Sequence, residues 1–252
     1  MLDAIDFRLG RYQDVLQDVI CDHLITDPPF SARTHNGQRH GRKDPKYCNT
    51  TTNPILSNRG LPYEPWTEAD IKEFVDFWHP RTRGWMCIMM SHDLVPIYTE
   101  LLQQHGRYVF APIPCVQMYR NVRLAWDGPA NWADYLLVAR PRTLKGWGAL
   151  PGAYVGQSHD AGENALDRSK RIIPGSKPLW LMRAIIKDYS KPGDLICDPC
   201  AGGGSTLRVA QAEGRPSIGA EETEETYLKA MELITGERLI FKDEGTTDMF
   251  GV

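Results

Sequence analysis

Apolar positions along the chain form short continuous runs, separated by stretches where they recur at helical spacing. Residues 24–26, 85–90, 108–119, 135–139, 195–197 and 216–220 read as strands. Between them, Ile71, Phe74, Val75 and Trp78 follow Thr67 at helical intervals, and Thr67 is a residue type suited to an N-cap. Residues 94–104 read as a helix that stops near Gly106. Residues 178–189 read as a helix with Leu181, Met182, Ile185, Ile186 and Tyr189 inward. Residues 206–213 form a helix stopped by Gly214, and residues 222–234 are amphipathic. Residues 31–65 are polar and rich in Gly, Asn and Pro, a long loop; residues 142–176 show no clear periodicity. Strands alternating with helices predict a mostly parallel sheet covered on both faces. Neither an internal repeat nor a low-complexity tract is evident.

At roughly 150 residues per domain, 252 residues make one large domain. A chain of this size buries enough surface to need no disulfide or metal staple. Apolar residues at 42% and charged residues at 24% exclude wholesale disorder. No apolar run approaches 18 residues, so no membrane span is expected, and the first residues lack the basic-then-apolar pattern of a secretory signal. A cytoplasmic location with all six cysteines reduced follows as the expectation. Cys197 and Cys200 have redox or zinc spacing, but no second cysteine pair completes a zinc site. His35, His40 and Cys48 share one loop and lack a fourth ligand at standard spacing, so no metal is expected.

The net charge of −3 conceals an asymmetry. Residues 1–30 carry six acids and two bases, residues 31–206 carry 16 acids and 22 bases, and residues 207–252 carry 10 acids and five bases. The basic charge thus sits in the middle, where it is either a set of solvated loops or the footprint of a polyanion.

Two constellations bear chemistry. Asp198-Pro199-Cys200-Ala201-Gly202-Gly203-Gly204-Ser205-Thr206 follows a strand and opens a helix. A Gly-rich turn at that place is either a structural tight turn or a close approach of backbone to ligand. It lacks the Lys of a phosphate loop, which disfavours a triphosphate. Glu221 ends the next strand, where an acid would grip a ribose hydroxyl. A nucleoside-bearing cofactor without a pyrophosphate fits, and S-adenosyl-L-methionine is the candidate. The second constellation, Asp27-Pro28-Pro29-Phe30, follows the strand at 24–26. Its two prolines stiffen the turn and hold an acid, carbonyls and an aromatic ring at one strand tip. It is either a plain strand-ending turn or a site for a planar heterocycle bearing an exocyclic amine.

Together these residues resemble the amino-group DNA methyltransferases, which methylate adenine N6 or cytosine N4. The catalytic motif precedes the cofactor motif here, which resembles the circularly permuted beta class. Lys177-Pro178 with Leu181 and Ile185-Ile186 resembles the helix before the cofactor strand. Ile218-Gly219-Ala220-Glu221 with Tyr227 and Ala230 resembles the strand and helix after it. Arg11 departs from the family, which often has Asp there. The likeness covers residues 8–30, 66–141 and 177–235.

The resemblance implies a Rossmann-like fold with a mostly parallel seven-stranded sheet, organised as a single methyltransferase domain over residues 1–252. It implies that Asp27 and the Pro28 carbonyl hold the target amine, with Pro29 stiffening the turn and Phe30 stacking on a flipped base. It further implies that Asp198, Pro199, Ala201, Gly202, Gly204, Ser205 and Thr206 line the cofactor, with Glu221 at the ribose and Lys177 and Pro178 at the pocket edge. No cysteine nucleophile is expected. The acid at position 27 favours adenine over cytosine.

Double-stranded DNA is the expected partner. Its contacts are assigned to Arg33, Arg39, Arg42, Lys43 and Lys46 in the loop, and to Arg168, Lys170 and Arg171 in the short recognition segment 142–176. So short a segment predicts weak sequence specificity. A homodimer is one expected assembly, and any restriction nuclease would be a separate chain. Cytosine-N4 methylation, RNA adenine methylation, methylation of a protein glutamine and an inactive DNA- or cofactor-binding module are the alternatives.

Overall fold

The computed structural model describes residues 5–33, 64–118, 131–158, 176–236 and 239. Their strands are β1 (Ile5–Leu9), β2 (His23–Thr26), β3 (Met86–Met90), β4 (Tyr108–Val109), β5 (Ile113–Met118), β6 (Ala133–Arg140), β7 (Tyr154–Gln157), β8 (Ile196–Asp198) and β9 (Ser217–Glu221). Their helices are α1 (Tyr12–Val15), α2 (Glu68–Trp78), α3 (Val95–Gln104), α4 (Leu179–Tyr189), α5 (Ser205–Ala212) and α6 (Glu224–Thr235).

All nine strands join one sheet in the order β1-β9-β8-β2-β3-β6-β5-β7, with β4 also on β6. From β1 across to β3 every pairing is parallel, and β5 pairs with β7 in parallel; β6 runs antiparallel to β3, β4 and β5. The alternation of side chains along a strand sorts the core onto two faces. Leu24, Met86, Ile88 and Met90 pack under α1, α2 and α3 with Phe74, Trp78 and Tyr98. Ile25, Cys87 and Met89 pack under α4 and α5 with Leu181, Ile185 and Val209. Every β3 residue is therefore buried, which is why that segment reads as a continuous apolar run rather than an alternation.

The expected α/β architecture is present, with differences in strand count. The run at 108–119 divides into β4 and β5. Tyr108 and Val109 pair with Arg140 and Ala139, whereas Ile113 pairs with Leu136, so the segment slips by one residue against β6. Pro112 lies in the slip, where the chain has no N–H to give the ladder. β7 lies inside 142–176 and β1 precedes the first expected strand, so with the division of 108–119 the six strand runs become nine, against the seven that the resemblance implies. α2 begins with the expected Thr67 cap: the Thr67 side chain accepts from the Asp70 backbone N–H while Asp70 accepts from that of Thr67.

Candidate active site

β2 and β8 are adjacent, and onward connections leave them in opposite directions, β2 towards β3 and β8 towards β9. Ligands of open α/β sheets bind outside the carboxyl ends at such a reversal. Asp27 stands one residue beyond β2, and Asp198 is the last residue of β8. Thr26 Oγ1 donates to Asp198 Oδ1 at 2.7 Å, which ties the two strand tips together.

A cleft partly open to solvent lies over these tips. Asp27, Pro29, Lys177, Asp198, Pro199, Ala201, Gly202, Ser205, Thr206 and Glu221 line it, ten of the fourteen residues assigned to catalysis and cofactor. Pro28, Phe30, Gly204 and Pro178 are not among the lining residues. Gly204 caps α5 in the left-handed region at φ 71°, a conformation that favours glycine. Pro178 occupies the N-cap of α4, and the Phe30 carbonyl accepts from the Trp66 backbone N–H.

Close backbone packing explains the glycine in β9. A Cβ on Gly219 would sit 2.7 Å from the Asp198 carbonyl and 3.1 Å from the side chains of Ala201 and Leu207. Glu221, two residues on, reaches the same cleft. Burial pushes the Glu221 carboxyl up, partly offset by the Thr223 backbone N–H, which donates to its Oε1 at 2.8 Å. Asp198 is 2% exposed. Its burial outweighs hydrogen bonds from Thr206, Thr26 and the Cys200 N–H, so its carboxyl is pushed up to about 6.

The cleft wall carries Asp27, Asp70, Glu73, Asp198, Glu221 and Glu222 against Arg11 and Lys177. Such a surplus of acid suits a cationic ligand and repels a phosphate. Burial holds the thiols of Cys87, Cys197 and Cys200 well above the ordinary range and pushes Cys115 up to about 12. None of these is activated as a nucleophile.

Several participants carry no motif signal: Thr26, Tyr12, Trp66, Asp70 and Glu73 reach the site through the fold. Lys177 was placed at the cofactor edge by sequence; its ammonium donates to Asp27 Oδ2 and lies 5.0 Å from the centre of the Phe30 ring. Of the expected DNA contacts, Arg33 is exposed beside the site, with its guanidinium 3.0 Å from His92 Nε2. Arg39, Arg42, Lys43, Lys46, Arg168, Lys170 and Arg171 lie outside the described residues, as do His35, His40 and Cys48.

A family model for N6/N4 methyltransferases, described as DNA methylase, matches residues 42–232. The chain belongs to that family of amino-group DNA methyltransferases. The matched range begins after Asp27–Phe30, so the role of this tetrapeptide rests on its own pattern and geometry. The DNA adenine methyltransferase YhdJ of Escherichia coli K12 is 46% identical over 56 residues, a match spanning 22% of this chain and 19% of that protein. The M1.HpyAVI–SAM complex superposes with a TM-score of 0.67 at 19% identity, covering 92% of this chain and 100% of the other. The cytosine-N4-specific PvuII DNA methyltransferase gives 0.65 at 12% identity, covering 95% and 89%. These likenesses establish the fold. No helix among the described residues is long and apolar enough to cross a membrane.

Proposed function

We propose that this chain transfers a methyl group from S-adenosyl-L-methionine to N6 of an adenine flipped out of double-stranded DNA, acting as a single domain. The observation that carries this is the placement of Asp27 and Asp198 on neighbouring strand tips, bridged by Thr26, at the floor of one acid-lined cleft.

The residues fit the cofactor. Asp198 would accept from its ammonium and Glu221 from its ribose hydroxyls, and the Gly-rich turn from Asp198 through Thr206 would hold its methionine part. When bound, the cofactor supplies an electrophilic sulfonium methyl. Asp27 accepts one hydrogen of the target amine and the Pro28 carbonyl the other, which draws the nitrogen lone pair out of conjugation with the ring. Phe30 stacks on the base. Asp27 and the Pro28 carbonyl would thereby hold the amine nitrogen in line with the methyl that the cofactor supplies. Orientation and fixed charge supply the acceleration.

Asp at the head of the tetrapeptide supports adenine, as does the adenine methyltransferase named among the relatives. Cytosine N4 is the second reading, favoured by the likeness to the PvuII enzyme. Labelled methyl transfer to unmethylated duplex DNA, followed by nucleoside analysis, tests both. The expected product is N6-methyladenine, lost by at least a hundredfold in Asp27→Ala. N4-methylcytosine would move the assignment to the second reading, and label found only on RNA or protein would remove DNA as substrate.

A further inference from the structure

Lys177 brackets the amine end of the cleft. Its ammonium donates to Asp27 and stands 3.8 Å from Oδ2 of Asp134. Asp134 lies in β6 and is 3% exposed; its Oδ2 accepts from Nε2 of Gln117, equally buried in β5, at 3.3 Å. One cation therefore faces two carboxylates. Asp27 lines the cleft, and Asp134, buried, does not.

Resting on the reading that Asp27 receives the target amine, the pair Lys177–Asp27 presents a conflict. The Lys177–Asp27 contact is an ion pair, whereas a neutral amine brings only a hydrogen bond to the same carboxylate. An incoming base cannot displace Lys177 on equal terms. A cation beside the amine would also oppose the positive charge that grows on nitrogen as the methyl arrives. Asp134 resolves both. The Lys177 ammonium has a second anion within a short swing of its side chain, and the amide of Gln117 holds that anion in place.

We propose that Asp134 is a positioning residue: it takes the Lys177 ammonium from Asp27 when the target base enters, leaving Asp27 free for the amine. In the resting protein the same lysine caps Asp27.

The test is a double-mutant comparison in the full chain, reading kcat and KM for duplex DNA and the Kd of the cofactor. Asp134→Asn is expected to lower kcat/KM for DNA about tenfold, mainly through KM, with the cofactor Kd unchanged within twofold. In a Lys177→Met background the same substitution is expected to change kcat/KM by less than twofold, because no cation remains to be parked. Asp134→Glu should restore most of the loss. Equal losses in both backgrounds, or no loss beside the native lysine, overturn the proposal. Should Asp134→Asn fail to fold, the Lys177→Met variant alone decides on a duplex whose target base is already unpaired: KM falls if Lys177 guards Asp27, and a rise overturns the proposal. A native protein that methylates no DNA overturns the proposed function itself, and this assignment with it.

Discussion

Replacing Asp198 by Asn removes a charge that the ligand-free fold holds at a cost. The carboxyl is fully enclosed, and its pKa is pushed up to about 6, with burial the largest cause. Against an ordinary aspartate value of about 3.9, that gap corresponds to about 3 kcal/mol. The sign follows from proton uptake. The folded state binds the proton more tightly than the unfolded chain, so this group favours folding increasingly as pH falls from above 6 towards 4. At pH 8 it opposes folding by the full amount, and at pH 5 roughly half of the penalty is gone. Asn keeps an acceptor oxygen for Thr26 Oγ1 and the Cys200 N–H. The variant is therefore expected to gain up to about 3 kcal/mol over the native protein at pH 8, with the advantage shrinking by about half at pH 5. Burial lowers His23 and His79, which makes the protein lose stability on acidification through the ordinary histidine range. Both proteins share those groups, so the difference between them isolates Asp198. Urea denaturation without ligand, at matched ionic strength from pH 8 to pH 5, measures it. A stability difference that stays constant over that range refutes the reasoning. The same variant should lose cofactor affinity by at least tenfold, a stability gain set against function.

Other outcomes follow from the same geometry. Gly219→Ala should cost about 2–3 kcal/mol in urea denaturation, because its Cβ meets the Asp198 carbonyl at 2.7 Å in a packed interior. Thr26→Val should cost about 1–2 kcal/mol at pH 8 and less at pH 5, where Asp198 is protonated and needs the hydroxyl less. Phe30→Leu should lower kcat/KM for DNA by roughly 10- to 100-fold through lost base stacking, while calorimetry finds cofactor affinity changed less than twofold. Glu221→Gln should weaken the cofactor by about tenfold in the same calorimetric titration.

The central strands and the long helices were legible because they are buried on one face or two. β3 is apolar throughout, and α2 shows Ile71, Phe74, Val75 and Trp78 in phase. β1 escaped because it is an edge strand: Phe7 alone is buried, and the flanking Asp6 and Arg8 pair with each other in solvent. β7 escaped because Tyr154 is its one buried residue and Val155 is exposed. Of the site, the two motifs were legible because a turn needing glycine or proline writes itself into the sequence. The contacts that join them were not. Thr26 is 172 residues from Asp198, and Lys177 is 150 from Asp27. Such pairs are set by strand order, which no local pattern records. Asp134 looks like any polar residue at the start of a strand until β5 and β6 fold it under Lys177.

The hydroxyl bridge between β2 and β8 keeps two acidic strand tips close enough that Asp27 contributes to raising Asp198. Neutralising either carboxylate with a cation eases the field at the other. On the proposed roles, ligands at Asp27 and at Asp198 are linked through this one pair of carboxylates. Whatever factor the bound cofactor adds to the affinity for the base, the base must return to the cofactor.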